Sequence, residues 1–215
     1  MNADQTAKAL DTIERNAKLQ TQLIDDLLDI AGIMHGKMRL NSAPLNLTLA
    51  VESAIDTVKA AAAAKSIEID SVIPDLGLVS GDAVRLQQII WNLLSNAIKF
   101  TPNSGRVEVR LERSGVSGTL AEDRAMIAVS DTGKGIHPDF LLSIFDSFYQ
   151  EDVSLTRKYG GLGLGLAIVR HLVEAHEGTI VAESGGENQG STFTVSLPLL
   201  RPEVQIKLAQ EVRSA

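Results

Sequence analysis

Two alternating runs, Arg106–Arg113 (RVEVRLER) and Ala125–Asp131 (AMIAVSD), lie next to each other in the chain, separated only by the glycine-bounded turn Gly115–Asp123. Apolar residues at every second position make each a strand, the second the more buried. A further pair, Thr179–Ser184 (TIVAES) and Ser191–Leu199 (STFTVSLPL), follows near the C-terminus. Strands that come in adjacent pairs are incompatible with βαβαβ alternation. They point to an α+β fold: a two-layer α/β sandwich with helices on one face of a mixed sheet, here preceded by a long coiled-coil-like helix.

That first helix is read from its period. Residues 1–40 contain no proline, and Leu10, Ile13, Ala17, Ile24, Leu27, Ala31, Met34 and Met38 recur at alternating steps of three and four, with Gln20 in the one empty slot. A heptad seam of this length has to be covered by partner helices. Nothing else in the chain reads as a second coiled-coil helix, so the seam predicts oligomerisation, a missing partner segment, or both. Asn41-Ser42-Ala43-Pro44 breaks the pattern. Beyond it the spacing predicts helices over Leu45–Ala64, Asp82–Phe100 with Asp82 as N-cap, Pro138–Phe145 and Gly163–His176, and a strand over Ser66–Ile73. Residues 151–161 read as a mobile loop, and 201–215 as a short helix or a frayed tail. The expected division is 1–43, 44–200 and 201–215.

Composition narrows the chemistry. The chain of 215 residues has no cysteine, which excludes a disulfide scaffold, a thiolate metal site and a cysteine nucleophile. A net charge of -7 argues against general nucleic-acid binding. A hydrophobic fraction of 44% is too high for a disordered chain, and the eight aromatic residues (5 Phe, 2 Tyr, 1 Trp) leave the core to aliphatic side chains. There is no apolar run of about 18 residues and no signal-peptide centre, so no direct membrane contact and a cytoplasmic location are expected for this segment.

Four stretches carry chemistry. On the helix through Asn92-Leu-Leu-Ser-Asn96-Ala-Ile-Lys99-Phe100-Thr101, residues 92, 96 and 99 share one face. That face offers two amide oxygens for a hard cation and one ammonium, a set suited to Mg²⁺ and a phosphate chain. Asp131-Thr-Gly133-Lys-Gly135-Ile136 ends a buried strand in a carboxylate able to accept from an exocyclic amine, although the same pattern also serves as an ordinary turn. Gly161, Gly163 and Gly165 alternate at a helix entrance whose backbone N–H groups form an anion site. The spacing is neither a Rossmann fingerprint nor a P-loop. Gly190-Ser-Thr192-Phe193 feeds the last strand.

In this order and spacing, residues 45–200 resemble the catalytic ATP-binding domain of sensor histidine kinases, in the group that includes gyrase, mismatch-repair and heat-shock-chaperone ATPases. The boxes that carry the resemblance are Asn92–Thr101, Asp131–Ile136, Phe145–Gln150 with Phe148, Gly161–Leu166 and Gly190–Phe193. Residues 8–45 are similar to the second helix of the dimerisation hairpin of the same kinases. The resemblance implies that Asp131 holds the adenine amino group, with Thr192 helping through water. It implies that Asn96, with Asn92 beside it, holds Mg²⁺ against the phosphates of ATP, and that Lys99 touches phosphate. Gly133, Gly135 and Ile136 would let the nucleotide approach. Gly161, Leu162, Gly163, Leu164 and Gly165 would form the hinge and phosphate wall of a lid over about 150–162, and Arg157 and Lys158 would reach the γ-phosphate. Implied partners are a histidine-bearing hairpin, a response-regulator receiver domain and a second copy in a full-length homodimer, with a membrane anchor left open for the whole protein.

Two departures bear on mechanism. Gyrase-type ATPases place a glutamate at the start of the asparagine-bearing helix to activate water. Here that position is Asn92, which cannot take a proton. Slow hydrolysis and transfer to a side-chain acceptor are therefore expected. The acceptor itself is not evident: His35, His137, His171 and His176 all lack the His-(Glu/Asp)-x-x-x-Pro context. The first hairpin helix is expected to be absent, in a fragment or a naturally truncated kinase. The alternative is an ATP-binding regulatory module without kinase activity.

Overall fold

The computed structural model describes residues 3–35, 38–115, 123–147 and 162–201. The chain opens with α1 (Ala3–Met34), followed by β1 (Ala43–Asn46), α2 (Leu47–Ala64), β2 (Glu68–Val72), β3 (Leu78–Gly81), α3 (Ala83–Phe100), β4 (Arg106–Ser114) and β5 (Arg124–Asp131). A 3-10 turn at Pro138–Phe140, α4 (Gly165–Ala175), β6 (Thr179–Glu183) and β7 (Ser191–Pro198) complete it. The main sheet runs β2-β4-β5-β7-β6. Only β2–β4 is parallel, so the sheet is mixed as expected. The β4–β5 hairpin predicted from adjacency pairs Val107 with Asp131 and Ser114 with Arg124.

Period-two burial explains the two faces. Val107, Val109 and Leu111 of β4, Ala125, Ile127 and Val129 of β5, and Phe193, Val195 and Leu197 of β7 are all buried beneath the helices. The opposite face of β4 carries charges paired across it: Arg106 with Asp70 at 2.5 Å and Arg110 with Glu108 at 2.8 Å. Those pairs are exposed and add little stability. The fold is held instead by aliphatic burial, each enclosed Leu or Ile contributing about 1.5–3 kcal/mol. Leu86, Ile89, Ile90, Leu93 and Leu94 of α3 and Ile168 and Leu172 of α4 are among the enclosed side chains.

Helix ends follow local chemistry. Asp82 caps α3, accepting from the N–H groups of Val84 and Arg85 at 3.1 and 3.3 Å. At the other end, the Lys65 ammonium donates to the carbonyls of Ile98, Lys99 and Thr101 at 2.6, 3.1 and 2.5 Å. A cation with all three donors used satisfies carbonyls that the helix leaves open.

Three expectations change. The helix placed over Leu45–Ala64 starts at Leu47, because Asn46 accepts from Thr48 N–H at 2.8 Å and caps it. The residues before it form β1, which pairs antiparallel with β3 in a small second sheet. Pro44 stays compatible with a strand because β1 has a partner on one side only. The helix expected over Pro138–Phe145 is a 3-10 turn followed by further turns. The first helix ends at Met34 and leaves Met38 outside, so the heptad register overruns the helix.

The α1 seam faces away from the sandwich. Leu10, Ile13, Ile24 and Leu27 are 60%, 64%, 57% and 48% exposed, whereas Asp26, Asp29 and Ile30 on another face are buried. Asp29 accepts two hydrogen bonds from Arg85 Nη1, at 2.8 and 3.0 Å, and one from Gln88 at 2.7 Å, which joins α1 to α3. Among the described residues no helix is long and apolar enough to cross a membrane.

Candidate functional site

The C-terminal end of β5 and the start of β7 meet the flank of α3. Asp131 and Ser191 are direct cross-strand partners, and the Asp131 carboxylate accepts from Ser191 Oγ at 2.5 Å and from Gly133 N–H at 2.7 Å. The loop after β5 is pressed onto neighbouring backbone. Gly135 has φ +69°, and a Cβ there would stand 2.0 Å from the Gly186 carbonyl oxygen; Gly190, at φ +70°, would place one 2.0 Å from the Asp131 carbonyl oxygen. No side chain fits either position. Ile136 N–H donates to Ser184 Oγ at 3.0 Å, and the side chain packs against the core.

On α3, Asn92 is buried and Asn96 and Lys99 are partly exposed, in the predicted order along one face. Asn92 Nδ2 is buried with no hydrogen-bond partner among the described residues. Its Oδ1 lies 3.2 Å from where a Cβ on Gly165 would stand, so the glycine brings the entrance of α4 against the amide. An unpaired buried amide costs about 1–3 kcal/mol and is relieved when a ligand supplies a partner.

Two cations converge below this face. The ammonium groups of Lys99 and Lys134 each lie 5.1 Å from the centroid of the Phe100 ring. Partial burial and the nearby Lys134 charge hold Lys99 below the ordinary lysine value. Phe145 packs edge-on against Phe193 of β7, with centroids 6.4 Å apart.

The structure brings Asn92, Asn96, Lys99, Asp131, Gly133, Gly135, Ile136, Gly163 and Gly165 to one region. Phe148, Arg157, Lys158 and Gly161 lie outside the described residues, while Leu162 is partly exposed. Thr192 is one position out of phase with Asp131: its hydroxyl pairs with Ser130 Oγ at 2.9 Å, so the residue on Asp131 is Ser191. Leu164 is 1% exposed and its side chain joins the core at the entrance of α4. Counting parity back from the core-facing Phe193 identifies Ser191 from sequence. Lys134 and Phe100 lie within the motifs, and only the fold brings them together.

His176 is buried, donates Nδ1–H to the Leu172 carbonyl at 2.7 Å and accepts from Asp82 N–H at 3.0 Å. His35 bonds to the Ala31 carbonyl at the end of α1, and His137 and His171 are half-buried beside Asp139 and Glu174.

A mixed five-stranded sheet covered by helices on one face, with a carboxylate at an inner strand end opposite an amide-bearing helix, defines an ATP-binding α/β sandwich. The chain belongs to the histidine kinase-, DNA gyrase B- and HSP90-like ATPase family, whose model matches residues 81–201, more than half its length. It is 41% identical over 217 residues to hybrid signal transduction histidine kinase D of Dictyostelium discoideum, covering 89% of this chain and 14% of that protein. It is 42% identical over 183 residues to the circadian input-output histidine kinase CikA of Synechococcus elongatus, covering 82% of this chain and 23% of the other. The crystal structure of full-length ShkA in complex with AMPPNP superposes with a TM-score of 0.73 at 30% identity, covering 94% of this chain and 40% of that one. This chain thus spans less than a quarter of each of these two curated relatives. The family resemblance and the α+β architecture expected from the motifs both hold.

Proposed function

We propose that the chain is the phosphate-donating part of a two-component sensor histidine kinase, which binds Mg·ATP and passes the γ-phosphate to a histidine on a separate hairpin. The carrying observation is the make-up of the α3 face: Asn92, Asn96 and Lys99 offer amide oxygens and an ammonium, and no carboxylate able to activate water. Positioning and charge neutralisation then favour transfer to a bound acceptor over hydrolysis.

In this reading the Asp131 carboxylate, fixed by Ser191 and Gly133, accepts from the adenine amino group. Asn96 and Asn92 hold Mg²⁺ and Lys99 meets phosphate; Gly163, Gly165 and Leu162 border the phosphate side, with Gly161, Arg157 and Lys158 assigned to the lid. The donor chemistry suits the ion. Among the described residues no cluster of three or more His, Asp or Glu exists, so Mg²⁺ would rely on amide oxygens and on the phosphates it accompanies. Bound there, the ion would supply neutralisation of phosphate charge. The exposed α1 seam supports the proposal of a homodimer, and segment 1–43 is assigned to the dimerisation hairpin, 44–200 to catalysis and 201–215 to a tail. A receiver domain as downstream partner and a cytoplasmic location complete the proposal.

The test uses γ-labelled ATP, this chain, and a separately expressed hairpin carrying a His-Glu or His-Asp site. Label is expected on the hairpin and is lost with Asp131→Asn or Asn96→Ala. Nucleotide binding with no transfer to any hairpin would favour the regulatory module. Label on this chain alone would overturn the assignment of the acceptor to another segment.

A further inference from the structure

Lys134, between Gly133 and Gly135, has no task in the transfer just described, yet its position is tightly set. Its N–H donates to the Phe100 carbonyl at 3.3 Å, and its own carbonyl accepts from Asn188 N–H at 2.6 Å. Gly133 permits this approach, because a Cβ there would stand 2.7 Å from the Phe100 carbonyl oxygen. Lys134 is thereby fastened to the end of α3, where its ammonium and that of Lys99 both lie 5.1 Å from the Phe100 ring centroid. Two ammonium groups beside one ring place two positive charges on one short stretch of the site. Such a pair is favoured when an anion with several charged oxygens comes within reach of both. The depressed proton affinity of Lys99, caused by burial and by Lys134, agrees with that arrangement.

We propose that Lys134 is a nucleotide-contacting residue: with Lys99 it forms a two-ammonium clamp across Phe100 that receives the phosphate chain. The proposal rests on the ATP-binding reading and adds a second fixed cation to it, supplied by the loop after β5 instead of by α3. The competing role is structural, in which Lys134 only braces the Phe100 ring.

Affinities for ATP, ADP and adenosine separate the two in the wild-type chain and in the Lys134→Gln, Lys134→Arg and Asp131→Asn variants. Loss of one charge-assisted phosphate contact weakens ADP and ATP about tenfold in Lys134→Gln, while adenosine stays within about twofold and Lys134→Arg recovers most of the loss. Thermal melting of the free variants reports on folding. ADP and ATP affinities in Lys134→Gln equal to wild type would overturn the clamp, as would an equal loss for adenosine. Binding lost in Asp131→Asn but retained in Lys134→Gln sinks the clamp alone. A wild-type chain that binds none of the three ligands sinks the ATP-binding reading with it.

Discussion

Asp131 and Ser191 form the smallest unit on which the site depends. A hydroxyl 2.5 Å from a carboxylate oxygen orients that carboxylate, and Ser191 owes its place to the register that pairs it with Asp131. Thr192, one residue on, is turned to Ser130. Removing the Ser191 hydroxyl takes away one hydrogen bond to a charged acceptor, a loss of about 1–2 kcal/mol or roughly five- to thirtyfold in affinity if the orientation matters to the ligand. Ser191→Ala is therefore expected to weaken ATP binding while Thr192→Ala leaves it within about twofold, as titration calorimetry would read. The reverse order would restore Thr192 to the site. At this scale the sequence carries the residue types directly and the facing only through strand parity. The motif names both Ser191 and Thr192, and only the pleat decides which one meets Asp131.

The helices show what periodicity can and cannot carry. The amphipathic pattern of α3 and its Asp82 cap are legible because burial and capping act within one turn of sequence. The small β1–β3 sheet is not, since four-residue strands such as Ala43–Asn46 depend on a partner more than 30 residues away. The α1 seam was legible as a stripe, but its orientation was set by Asp29, Arg85 and Gln88, whose pairing no heptad count contains. With Ile24 and Leu27 57% and 48% exposed, charge there should not unfold the chain. Ile24→Asp with Leu27→Asp is expected to abolish weak self-association in sedimentation equilibrium while leaving the melting temperature unchanged. A dimer that survives both substitutions would show that α1 is not the interface.

At the scale of the molecule, Asp82 is a knot between parts that are far apart in sequence. It caps α3, accepts from Asn41 N–H at 3.0 Å in the segment leaving α1, and donates its own N–H to His176 at the end of α4. Burial pushes its carboxyl upward, but hydrogen bonds from Asn41, Arg85 and Val84 and the Arg85 charge outweigh it, leaving it below its ordinary 3.8. A depressed carboxyl contributes stability that is present above the unfolded value and lost as pH falls through the folded one. Wild type is thus expected to lose denaturant resistance below about pH 4 more steeply than Asp82→Asn, which starts about 1 kcal/mol lower at neutral pH. Parallel pH profiles for the two would contradict this.

The sheet order has a consequence for synthesis on the ribosome. The last strand of this sheet in chain order, β7, is inserted between β5 and β6, and it joins Ser191 to Asp131 across 60 residues. Until residues 191–198 have emerged, β5 presents an open edge, the hazard that makes unfinished sheets adhesive. The nascent chain therefore fixes the Asp131 carboxylate only once that strand has emerged, and the same strand closes the exposed edge.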